Sequence, residues 1–126
     1  MAEGLQKRFQ TEVDKFRELQ KEIDKLLRSR QQLEAQLTEN NIVKEELERL
    51  EPPIKVFKLI GPALVRQEVA EAVQTVSKRI DFITGEMKRV EGLLHDYESK
   101  QEALKETLSK LQQQFQQAQV KAAIKA

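Results

Sequence analysis

Cysteine is absent from this chain, so neither a disulfide nor thiol chemistry has a place in it, and a reducing compartment suits it. Histidine occurs once, as His95 beside Asp96. Alone, it lacks the companions that a metal or catalytic site requires, and a solvated structural role is expected. Aromatic residues are 5% and hydrophobic residues 39% against 34% charged, a mixture too polar for a compact core and usual in long helices and coiled coils. No apolar run approaches the ~18 residues of a membrane span, and the start M-A-E-G-L-Q-K-R lacks the apolar stretch of a signal peptide. Charge of one sign is also missing. The 22 Lys and Arg stand against 21 Asp and Glu, a net charge of +1, where a nucleic-acid binder depends on a positive surplus. There is no Gly-rich phosphate loop, nucleophile–base pair or Cys/His cluster. These absences lead to an expectation: a soluble, cytoplasmic protein that is not an enzyme, without cofactor or metal, and with neither nucleic acid nor membrane as partner.

Proline and glycine are scarce as well, and their few positions divide the chain. Glu51-Pro52-Pro53 stops a helix, because proline donates no hydrogen bond and disfavours helical geometry at the residue before it. Gly61-Pro62 lies inside V-F-K-L-I-G-P-A-L-V-R-Q (Val56 to Gln67), between two short β-branched and aromatic runs, which is a hairpin signal. The remainder has heptad spacing. Before the prolines the seam is Leu5, Phe9, Glu12, Phe16, Leu19, Ile23, Leu26, Arg30, Leu33, Leu37, Asn40, Lys44 and Leu47. After the hairpin it is Val69, Val73, Val76, Ile80, Ile83, Met87, Val90, Leu94, Tyr97, Gln101, Leu104, Leu108, Leu111, Phe115, Ala118 and Ala122, with Gln101 alone interrupting the apolar series.

The pattern predicts a mainly α fold: a long antiparallel two-helix coiled coil joined by a single β-hairpin. The expected bounds are a helix over about 5–50 (roughly 68 Å at the α-helical rise), a hairpin over about 54–67 and a helix over about 68–120, in one domain of residues 1–126. Asp24/Arg28 and Glu45/Arg49 have the spacing for ion pairs on the outer faces. Arg30 is expected to lay its stem along the seam with its head in water; Asn40 could set register or touch the body near the hairpin. Folding back about the hairpin sets Leu5 near Leu111 and leaves Phe115 to Ile124 beyond the first helix, a geometric estimate. Leu5, Phe9, Phe115, Val120 and Ile124 then gather at one end with few intrachain partners.

A lone hairpin of this kind is incomplete. Two strands by themselves are marginal in water and offer open edges. Val56, Phe57, Leu59, Ile60, Leu64 and Val65 are apolar on both faces, around the Gly61-Pro62 turn. Hairpins from several subunits, paired edge to edge into a barrel, would remove both problems, so this element is expected to hold an oligomer together.

The order of helix, V-F-K-L-I-G-P-A-L-V-R-Q and returning helix resembles the β-type subunits of prefoldin. Leu37 to Leu47, L-T-E-N-N-I-V-K-E-E-L, narrows the resemblance to one eukaryotic branch of them. The likeness covers essentially the whole chain apart from the C-terminal end. It implies a cytosolic chaperone of two α-type and four β-type subunits. Their hairpins would form a double β-barrel, and unfolded actin and tubulin would be held near the coiled-coil tips and passed to the cytosolic chaperonin without nucleotide. The α-type requires two hairpins, whereas the single connection here has room for one. Sequence alone leaves the tip residues open between the last turns of a coiled coil and a client site, and the resemblance favours the second for the group. A tethering coiled coil without chaperone activity is the alternative. A helical arm gripping RNA would want a basic stripe, which the interspersed acids deny.

Overall fold

The computed structural model describes residues 2–125, in the order α1 (Ala2–Glu48), β1 (Val56–Ile60), β2 (Ala63–Gln67) and α2 (Val69–Lys125). The fold is mainly helical, two long helices joined by an antiparallel two-stranded hairpin, as the heptads and the Gly-Pro turn predict.

The connection is unsymmetrical, for local reasons. At the end of α1 the Arg49 N–H is shared between the carbonyls of Glu45 and Glu46, each at 3.2 Å, and the Leu50 N–H bonds Leu47 at 3.3 Å. Such tightening satisfies carbonyls that the helix can no longer reach. Glu51 to Ile54 then turns, with the Ile54 N–H donating to the Glu51 carbonyl at 3.2 Å. β2, by contrast, runs almost directly into α2. Glu68 alone intervenes, and its carbonyl accepts the first helical bond from the Ala72 N–H at 3.0 Å. Glu68 therefore stands at the cap of α2, while Glu71 sits in the first turn beside the positive end of the helix dipole.

The chain divides into two compact units: a terminal unit of Met1–Arg28 with Gly92–Ala126, and a hairpin unit of Ser29–Glu91. In the terminal unit Ile23, Leu94 and Leu111 are buried, and Phe16, Leu19, Leu26, Tyr97, Leu104 and Leu108 are half-buried around them. Gln101 breaks the apolar seam without leaving a buried polar group unpaired. Its Nε2 donates to Gln20 Oε1 at 2.7 Å, and Gln20 Nε2 donates in turn to Asp24 Oδ1 at 3.0 Å. A polar side chain in a seam costs little once its hydrogen bonds are made, and this one ties α1 to α2 in one register. It also corrects an expectation: Asp24 takes Gln20 as its partner, not Arg28, whereas Glu45 and Arg49 do pair at 3.3 Å.

In the hairpin unit the buried residues are Ala72, Val76, Ile83 and Val90, all from α2. Leu33, Leu37, Leu47, Ile80 and Met87 are half-buried. Arg30 Nε lies 3.4 Å from Glu91 Oε1, with both side chains about half exposed, so the head is in water as expected and carries a carboxylate with it. A pair so placed contributes at most about 1 kcal/mol. Asn40 is half-buried, and its Nδ2 donates to the Gln36 carbonyl of its own helix at 2.7 Å. Its amide is satisfied locally and does not bridge the helices.

The pairing of Gln20 with Gln101 moves the expected register by about one helical turn. Phe9 lines one groove with Gln112 and Phe115, so Phe115 does not project beyond α1 as the fold-back estimate has it. In the hairpin unit Arg30 meets Glu91 with the same offset. The segment 49–55 leaves the α1 helix early while α2 begins at once after β2, so equal-armed counting fails.

Gly85 and Gly92 lie within α2, exposed, and a Cβ at either would meet nothing within 4 Å. Gly85→Ala and Gly92→Ala are each expected to stabilise the chain by about 1 kcal/mol, since glycine loses more freedom in a helix than alanine. Urea unfolding followed by circular dichroism measures this; a loss of stability in either variant would contradict the open environment.

Candidate functional site

The hairpin pairs Val56↔Gln67, Phe57↔Arg66, Lys58↔Val65, Leu59↔Leu64 and Ile60↔Ala63, leaving Gly61 and Pro62 as a two-residue loop. Gly61 has φ of +58°, and the proline ring holds Pro62 near −65°. A type I′ turn needs positive φ at both loop residues, so this loop is type II′, which wants glycine first. That turn matches the twist of the strands and sets the register for every pair behind it.

By the two-residue period of a strand, Phe57, Leu59, Leu64 and Arg66 share one face, and Val56, Lys58, Ile60, Ala63, Val65 and Gln67 the other. Neither face is covered. Leu59 and Leu64, directly opposite each other, are each 68% exposed, and Phe57, Ile60 and Val65 are about half exposed. Only Val56 and Gln67, at the helix-proximal end, are half-buried. Each large side chain left in water forgoes about 1.5–3 kcal/mol of burial free energy. Concentrated on a short open-edged sheet, that unsatisfied apolar area makes the hairpin a candidate interaction surface. Ile54, exposed just before β1, extends it. Sequence reasoning passed over Ile54, although its place between Pro53 and the first strand was the available signal.

The second candidate surface belongs to the terminal unit. Phe9 and Phe115 line a groove of about 560 Å³ with Gln6, Lys7, Gln10 and Gln112. Phe9 is exposed and Phe115 half-buried; Leu5 is half-buried and does not line the groove. Val120 and Ile124 stand further along α2, 57% and 78% exposed. Two of the five expected residues are thus brought together, and two more are presented singly. Phe82, 70% exposed on α2, lies off the seam in the hairpin unit and lines a groove with Gln36, Asn40, Thr75, Lys78, Arg79 and Ile83. Its off-seam position in the heptads is the signal that could have found it. His95 is exposed. Among the described residues no group of three His, Cys, Asp or Glu could hold a metal ion, and no helix is long and apolar enough to cross a membrane.

A long helix, a two-stranded hairpin and a returning helix is the plan of a β-type prefoldin subunit. The crystal structure of the prefoldin beta subunit from Thermococcus strain KS-1 superposes with a TM-score of 0.55, covering 88% of this chain and 91% of that one at 23% identity, a likeness of fold. The family model "Prefoldin subunit" matches residues 10–115. Prefoldin subunit 6 of Bos taurus is 57% identical over 119 residues, which is 94% of this chain and 92% of that protein. Prefoldin subunit 6 of Arabidopsis thaliana is 43% identical over 115 residues, covering 91% and 89%. The chain belongs to the prefoldin subunit family, and its similarity is to subunit 6, the eukaryotic branch indicated by Leu37 to Leu47.

Proposed function

We propose that this chain is one subunit of a cytoplasmic heterohexameric chaperone that holds unfolded proteins without ATP and hands them to the cytosolic chaperonin. Its partners are α-type and β-type prefoldin subunits, joined through Val56 to Val65 in an intersubunit β-barrel; its clients include actin and tubulin. It acts by binding and performs no reaction. The observation that carries this reading is the open hairpin, whose Leu59 and Leu64 stand 68% exposed on a sheet with both edges free. Family membership supports the chaperone class. The groove between Phe9 and Phe115, with Val120 and Ile124 beyond it, supplies apolar surface for a non-native chain at roughly 25 cal/mol per Å² buried. Contacts of that size are individually weak. Several such surfaces around one client add through effective concentration.

The test is the native mass and composition of the complex recovered with the tagged full chain. A heterohexamer of related helical subunits that suppresses aggregation of a denatured client is the expected result. A small homodimer with no such effect would instead make this a tethering coiled coil.

A further inference from the structure

The hairpin carries charge of one sign only. From Pro52 to Gln67 there are three cations, Lys55, Lys58 and Arg66, and no carboxylate. Of the other cations, Lys15, Lys21, Lys25, Arg30, Arg49, Arg89 and Lys105 each have a carboxylate of the same chain within 4 Å, while helix residues such as Lys44, Lys78 and Lys88 have none. Among the described residues, none of the three hairpin cations has one either.

Lys58 is the central residue of the five in β1. The pair that closes a two-residue turn, Ile60 with Ala63, is a hydrogen-bonded one, and the pairs behind it alternate. Lys58↔Val65 therefore bonds inward, which turns the amides of Phe57 and Leu59 to the free edge of β1. A second copy of this chain would add to that edge as its two-fold mate, the commonest symmetry for identical subunits. In the antiparallel register that uses all five residues, Phe57 bonds Leu59 of the mate, and Lys58 falls opposite Lys58. That is a non-hydrogen-bonded position, where side chains stand closest across the strands. Like charges directly opposed there are destabilising, and a central lysine on an edge strand is a known guard against self-pairing.

Resting on the assembly reading above, we propose that the free edge of β1 takes a strand of a different subunit that carries an Asp or Glu opposite Lys58, and that Lys58 excludes a second copy of this chain. The partner is recognised by an apolar edge strand with a carboxylate at its centre. Phe57 and Leu59 contribute adhesion, while Lys58 contributes selection.

The full chain is tested by reconstitution with the remaining subunits of its complex, comparing wild type, Lys58→Gln, Lys58→Glu and the double variant Leu59→Asp/Leu64→Asp. Expected are a loss of incorporation of a few-fold for Lys58→Gln and of at least tenfold for Lys58→Glu, with the gap between them shrinking at high salt. Equal incorporation of the Gln and Glu variants, with the double variant excluded, overturns charge selection and leaves hairpin assembly standing. Full incorporation of the double variant takes down the assembly reading itself. In sedimentation of the chain without its partners, an equimolar mixture of wild type and Lys58→Glu is expected to associate more strongly than either alone. No difference between them overturns the exclusion of a second copy.

Discussion

Leu59→Asp with Leu64→Asp is expected to leave the chain helical and soluble but to remove it from the complex. The two leucines face each other across the hairpin and are already 68% exposed, so within the free subunit an aspartate displaces no packing. In an assembled barrel both would be buried. Losing two such side chains forfeits about 3–6 kcal/mol, and a carboxylate forced between apolar neighbours adds a desolvation cost. At about 1.4 kcal/mol per factor of ten, even the lower figure weakens association at least a hundredfold. Circular dichroism of the free chain should match wild type, while native mass spectrometry of the reconstituted mixture should show complexes without it. A variant that enters the complex as well as wild type would show that the hairpin is not the assembly element.

Removal of residues 1–9 and 114–126 is expected to act on the other function alone. It takes away Phe9, Phe115, Val120 and Ile124, and with them the apolar groove of the terminal unit, while every residue of the hairpin unit remains. Capture of a denatured client should fall more than tenfold, read as the concentration needed to suppress its aggregation, with the assembled mass changed only by the missing residues. Because truncation also shortens the seam, Val120→Ser with Ile124→Ser provides a gentler form. Both residues are exposed and support no packing, so a several-fold loss of capture at unchanged stability is expected. Full capture by the truncated chain in an intact complex would place the client site elsewhere.

The heptads carried most of the fold because burial in a two-helix chain follows directly from the 3.6-residue period. Every α1 seam position from Leu5 to Leu47 is at least half-covered except Phe9 and Arg30, and every α2 position is so except Ala122. The hairpin was equally legible. Gly61 followed by Pro62 admits one tight turn, and that turn dictates which residues pair. What could not be read from spacing is the offset between the helices. It depends on the turn through Pro52 and Pro53 and on where α1 gives way, and a displacement of four residues keeps the same seam in use. The heptad pattern is indifferent to such a slip. The polar partners of the seam decide it: Gln101 finds Gln20, and Arg30 finds Glu91.

Sequence by itself thus determined the elements, their seams and the family, since each rests on short-range chemistry: periodicity, turn residues and a run of specific side chains. Tertiary structure decided which side chains stay in water. It set Phe115 on the same groove as Phe9, left Val120 and Ile124 exposed, and showed both faces of the hairpin uncovered. Exposure is a property of what lies across from a residue, and that is set by the register between distant segments, not by the residue's neighbours in the chain.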